Sequence, residues 1–229
     1  MQGNDVPQRP VKQTSSRPCT LIGVLITSLL LSIMIEWVGI AYFWSEQGAE
    51  HSKQVMLTEF NWFSEGFQQS LIHSYPVILA QQMLAFIHHW LFVKTGLQSW
   101  LTSPKNPDSL SAYLWFYARA YIESVLYVTM TFIIRLIVIV LTSPLFILVA
   151  LVGLVDGLVQ RDLRRFGIGR ESAFKYHHAK KSVGPVMLIA WVIYLSIPFA
   201  IHPNMILIPG AVLFGLMISL TASNFKKYL

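Results

Sequence analysis

The sequence predicts an all-α fold: a polytopic helical membrane protein with four transmembrane helices and an exoplasmic helical segment. Three observations predict it. Of 229 residues, 54% are hydrophobic and 12% are charged, about half the charged share of a soluble globular domain. The apolar residues gather into runs of spanning length; Leu136 to Val155 alone is twenty residues without a charge, enough for a helix to cross roughly 30 Å of hydrocarbon. Bases stand beside these runs rather than over one broad surface, so the net charge of +6 describes membrane orientation and not a DNA-binding face. Cys19 has no second cysteine to pair with, so an exoplasmic part of the chain is held by packing and not by an internal disulfide.

Residues 1–20 hold Pro7, Pro10 and Pro18 among Gln, Ser and Thr, a composition that buries too little apolar surface to order itself, and they read as a disordered cytoplasmic tail. Residues 21–44 form the first transmembrane helix. The run is long for a secretory signal core, contains Glu36 and is followed by no small-x-small cleavage site, so it reads as an uncleaved span. An ionisable group inside hydrocarbon marks a functional position by default, while contact with the interface or a partner helix is the structural alternative for Glu36.

Residues 45–120 read as periplasmic amphipathic helices. Val55, Met56, Leu57, Phe60, Trp62, Phe63 and Phe67 recur at helical intervals among Glu50, Lys53, Glu59 and Glu65, which predicts an apolar stripe on a polar helix. A second helix is expected over Pro76 to Leu101, broken by Ser103 to Pro107, and a third begins near Asp108 or Ser109, either of which can cap a first turn. The four tryptophans Trp62, Trp90, Trp100 and Trp115 suit a layer at the membrane surface or a partner contact.

Residues 121–159 read as a long kinked helix containing the second span. If unbroken from Ser109 to Gln160 it is about 78 Å long, so its first half projects beyond the bilayer. Arg135 precedes the uncharged core and Asp156 follows it; placed at opposite interfaces, Arg135 snorkels. Pro144 falls near mid-span and is expected to kink the helix, with the Ser143 hydroxyl bonding part of what is lost; a re-entrant pair of half-helices is the alternative. Residues 160–182 form a basic cytoplasmic loop, residues 183–201 and 204–222 the third and fourth spans, and residues 223–229 a cytoplasmic tail. Three bases in the first tail, seven after Asp156 and two at the C-terminus put twelve of 17 Lys and Arg on one side. A bacterial inner-membrane protein with both termini cytoplasmic satisfies that distribution.

No nucleotide, hydrolase or metalloprotease motif is present, which leaves no nucleophile–base constellation and predicts a non-enzymatic protein with no cofactor. His88-His89 and His177-His178 point about 100° apart on a helix and lack other ligands nearby in sequence, so no metal is expected. Gly153 with Gly157, and Ala211 with Gly215, have small-x-x-x-small spacing, which lets helix backbones approach within the chain or between copies as a homo-oligomer. Arg161, Arg164 and Arg165 share a helical face beside Phe166. With Arg170, Phe174, Lys175, Tyr176, His177, His178, Lys180 and Lys181 they make the candidate partner surface, for anionic phospholipids or a protein. Direct DNA contact is not expected, because seven bases against two acids is modest for it.

The run from Pro144 to Lys181, PLFILVALVGLVDGLVQRDLRRFGIGRESAFKYHHAKK, resembles the shared core of a family of small inner-membrane proteins encoded in integrating conjugative elements and conjugative plasmids. The resemblance extends more loosely over the whole chain. It implies membership in conjugative DNA-transfer machinery and association with the coupling ATPase of a type IV secretion system, and it carries over no catalytic residue. A non-enzymatic subunit that anchors or organises that ATPase is therefore expected. The alternative is a small transporter or channel subunit with a polar path through Glu36 and Arg135.

Overall fold

The computed structural model describes residues 17–68, 78, 81–82, 85–86, 89–94, 110–166 and 173–225. Among these the chain is all-α: α1 (Arg17–Tyr42), α2 (Ala49–Gln68), α3 (Leu110–Phe166), α4 (Ala173–Ser196) and α5 (Asn204–Ser223), with a short π-helical stretch at His89–Lys94. The tail expected to be disordered over 1–20 lies outside the described residues only up to position 16; Arg17 to Thr20 form the first turn of α1. Most of the helix expected over 76–101, its 103–107 break and the 108–109 cap lie outside the described residues.

α3 dominates the architecture. Its 57 residues make a rod of about 85 Å at 1.5 Å per residue. It runs as one helix through Pro144, so the re-entrant pair does not form. Thr142, and not Ser143, donates a hydroxyl here, to the Val138 and Ile139 carbonyls at 2.8 and 3.1 Å, next to the Val140 carbonyl that Pro144 leaves without its helical donor. α5 and α2 both pack against α3, α4 packs against α5, and α1 touches α3 and α4.

The core gathers Phe63 of α2, Phe132, Val138 and Phe146 of α3, Tyr194 and Leu195 of α4, and Leu207 and Ala211 of α5. Outside this cluster the polarity is inverted. Ser28, Ser32, Glu36, Ser124, Thr131, Arg135 and Ser219 are buried, while Ile26, Leu30, Val140, Leu151, Val155, Val212 and Leu216 are exposed. In water such a surface would be costly; against lipid it is the stable arrangement. Three segments, Leu21–Tyr42, Ala118–Arg164 and Asn204–Ser223, are long and apolar enough to cross a membrane.

The third span expected at 183–201 is shorter than its hydropathy implies. α4 ends at Ser196, and residues 197–203 are non-helical, because Pro198 and Pro203 interrupt an otherwise apolar run. From Ser182 to Ser196 the uncharged helix covers about 22 Å, less than the roughly 30 Å of hydrocarbon.

Candidate functional site

The small-residue positions come together. A Cβ added at Gly153 would strike the Gly215 backbone, and one at Gly157 would lie 2.5 Å from the Ser219 carbonyl oxygen. One at Gly215 would meet Val149 Cγ1 at 2.5 Å. The contact between α3 and α5 therefore runs through Gly153 against Gly215 and Gly157 against Ser219 and Ala222, while Ala211 faces the core and does not meet either α3 glycine. Asp156 tightens this contact by accepting from the Ser219 hydroxyl at 2.6 Å and the Gln160 amide at 2.9 Å.

The predicted basic surface divides. α3 stays helical through Arg161, Arg164, Arg165 and Phe166, and Phe166 is almost fully exposed. Arg161, however, does not share a free face with Arg164. Its guanidinium turns toward α5 and lies 5.7 Å from the Phe225 ring. Tyr176 meets the same ring edge-on at 5.6 Å, and Lys180 lies 5.7 Å from the Tyr176 ring. His177, His178, Lys180 and Lys181 are exposed on α4. Phe174 and Lys175 are helical; Arg170 and the turn expected at 167–169 lie outside the described residues. Among the described residues no group of three or more His, Cys, Asp and Glu is placed to hold a metal.

The opposite end of the bundle holds a constellation that sequence reasoning missed. Arg135 does not snorkel: it is 2% exposed. Its Nε donates to both Glu59 carboxylate oxygens at 3.1 and 2.9 Å, and Nη2 also bonds Glu59 Oε1. The remaining donors reach the Leu195, Ile197 and Phe199 carbonyls at 3.4, 2.5 and 3.0 Å. These carbonyls belong to the end of α4 and the segment just beyond it, where backbone acceptors lose their intrahelical partners. One guanidinium thus caps a helix that ends within the bundle, and its planar set of donors suits several acceptors at once. Burial pushes the Glu59 carboxyl upward from its ordinary range, and the bond and charge of Arg135, with the Ile201 backbone, draw it part of the way back.

Glu36 stands one step away. It is 2% exposed and accepts from the Ser52 hydroxyl at 2.7 Å, with His51 Nδ1 at 3.1 Å. His51 stacks on Trp44 at 4.1 Å and meets Phe199 edge-on. Phe199 therefore joins the two networks, its carbonyl on Arg135 and its ring on His51. Glu36 and Arg135 also line one space of about 10 Å³ with Ser32, Ser52 and Thr131, room for about one water. The available sequence signal was register: Glu59 lies on the Met56–Phe60–Phe63 stripe of α2, not opposite it.

Helices that bury serine, threonine and paired charges while exposing aliphatic side chains define a helical membrane-associated protein. Residues 43–226 match the family described as IncC plasmid conjugative DNA transfer protein DtrJ-like, and the chain belongs to that family. The resemblance to conjugative-element proteins read from Pro144 to Lys181 agrees with this match, which covers most of the chain. Membership implies a part in conjugative DNA transfer. No curated protein and no solved structure matches the chain.

Proposed function

We propose that this chain is a non-enzymatic inner-membrane subunit of a conjugative type IV secretion system that anchors or organises the coupling ATPase. The observation that carries the reading is the continuity of α3. In a chain of a conjugative-transfer family, one unbroken helix connects the clamped α2 layer to the basic stretch Arg161–Phe166. A rigid rod of this kind couples an exoplasmic layer to a cytoplasmic docking surface without a catalytic centre. α4 is the fourth crossing in this reading, short but enclosed by α1 and α5, with its final carbonyls bonded by Arg135 instead of lipid. Both termini are cytoplasmic, in keeping with twelve of 17 bases on that side.

The geometry favours this reading over a transporter. Glu36 and Arg135 are each engaged by partners on α2, and the space they share has room for one water rather than a path. Co-purification tests the docking surface. The coupling ATPase of the same element is expected to follow the detergent-extracted chain and to be lost when Arg164 and Arg165 are both changed to Glu. Retention of the ATPase by that folded variant overturns the assignment of the basic stretch.

A further inference from the structure

At the basic end, α3, α4 and α5 diverge around a cleft of about 410 Å³, within the range of small-molecule sites. Its lining is ordered along the helices. On α3, Leu154 and Leu158 precede Arg161; on α4, Lys180 precedes Val183; on α5, Ile218 precedes Thr221. α4 runs opposite to α3 and α5, so Leu154, Leu158, Val183 and Ile218 lie toward the bundle's middle and Arg161, Lys180 and Thr221 toward its basic end, where Tyr176, Ala222 and Phe225 complete the lining. Arg161 to Leu154 is about 10 Å along the axis, and Lys180 to Val183 about 4.5 Å.

The two cations in this cleft rest on aromatic rings, Arg161 on Phe225 and Lys180 on Tyr176, and not on an anion. Arg161 is half-buried, and its Nε is buried with no hydrogen-bond partner. Among the described residues neither Arg161 nor Lys180 forms an ion pair. Asp156, the acid nearest in sequence on the membrane side of Arg161, is taken by Ser219 and Gln160. A buried guanidinium donor without an acceptor is costly unless a ligand supplies one.

We propose that this cleft is a binding site for one anionic diacyl phospholipid, with its phosphate between Arg161 and Lys180 and the upper part of an acyl chain against Leu154, Leu158, Val183 and Ile218. A phospholipid is the ligand whose own polarity runs from phosphate to hydrocarbon in the same direction and over a similar distance. The inference rests on these helices being membrane-embedded, but not on any ATPase contact.

The test uses the full chain in a neutral detergent, with phosphatidylglycerol, phosphatidylcholine and inorganic phosphate as separate probes, read by native mass spectrometry and by thermal unfolding. One phosphatidylglycerol per chain is expected, in preference to phosphatidylcholine, with a rise in melting temperature that inorganic phosphate does not reproduce. Lys180→Gln, at an exposed position, should weaken binding about fivefold, and Arg161→Gln by a similar factor. Leu158→Trp should block the lipid with both cations intact. Equal retention of the two lipids, unchanged affinity in Lys180→Gln, or an equal effect of inorganic phosphate overturns the proposal. Coupling-ATPase co-purification by Lys180→Gln is read in parallel, so a failed docking surface and a failed lipid site give different results.

Discussion

Arg135 and Glu59 are 76 residues apart in sequence and form an ion pair whose side chains are 2% and 4% exposed. The pair joins the central rod to the amphipathic helix and, through three carbonyls, to the end of α4 and the segment that follows it. Breaking such a pair from one side leaves an uncompensated buried charge. Glu59→Ala is therefore expected to lower stability by about 3–5 kcal/mol, read as thermal unfolding in detergent. A melting temperature within a degree or two of the parent would show that the pair is not structural.

The same geometry distinguishes arginine from lysine. Arg135 bonds one carboxylate and three carbonyls in different directions, and an ammonium group is a compact point charge that cannot reach all of them. Arg135→Lys keeps the charge yet leaves carbonyls at the end of α4 without donors, at about 1–3 kcal/mol for a buried acceptor. Hydrogen exchange should rise selectively at the amides of residues 197 and 199–201. Uniform protection across that segment would remove Arg135 as its cap.

How much of this was legible depends on what kind of information each feature carries. Apolar runs and small-residue spacing are local, so α1, α5 and the presence of close helix contacts could be read directly, whereas the pairing of Gly153 with Gly215 and the choice of one helix over a re-entrant pair at Pro144 came only with the structure. The end of α4 was misread because hydropathy continues through Ile197 and Ile201, while the backbone stops at Ser196 ahead of Pro198. Arg135 was misread for a different reason. Its position at the edge of an uncharged run fits snorkelling, and nothing in spacing tells where an acid 76 residues away will lie. Arg161 shows the limit of helical-face arguments. It shares a face with Arg164 by periodicity, yet the neighbouring α5 draws its side chain inward to Phe225.

The α3–α5 contact yields a paired prediction. Gly153→Val puts a branched side chain onto the Gly215 backbone, which cannot rotate away, so the helices must separate. Overpacking of this kind costs about 1–3 kcal/mol or more, and the loss should appear as a lower melting temperature. Gly23→Ala in α1, where no atom lies within 4 Å of the added carbon, should be neutral or stabilising by about 0.5–1 kcal/mol. Equal responses from the two variants would mean that Gly153 is not at a close helix contact.

Glu36 provides the sharpest separation of structure from activity. Its carboxylate accepts from Ser52 and bonds His51, both on α2, and it is otherwise enclosed. If the acid only fastens α1 to α2, a side chain that still accepts from Ser52 should suffice. Glu36→Gln is then tolerated, Glu36→Leu leaves the Ser52 hydroxyl unpaired, and Ser52→Ala removes a donor from the carboxylate. Each of the latter two changes is expected to cost about 1–3 kcal/mol. Conjugation frequency, measured with the amount of folded chain in the membrane, should fall in proportion to that amount across all three variants. A Glu36→Gln chain that accumulates normally and melts like the parent, yet transfers no DNA, would overturn the structural assignment and return the buried charge to a functional role.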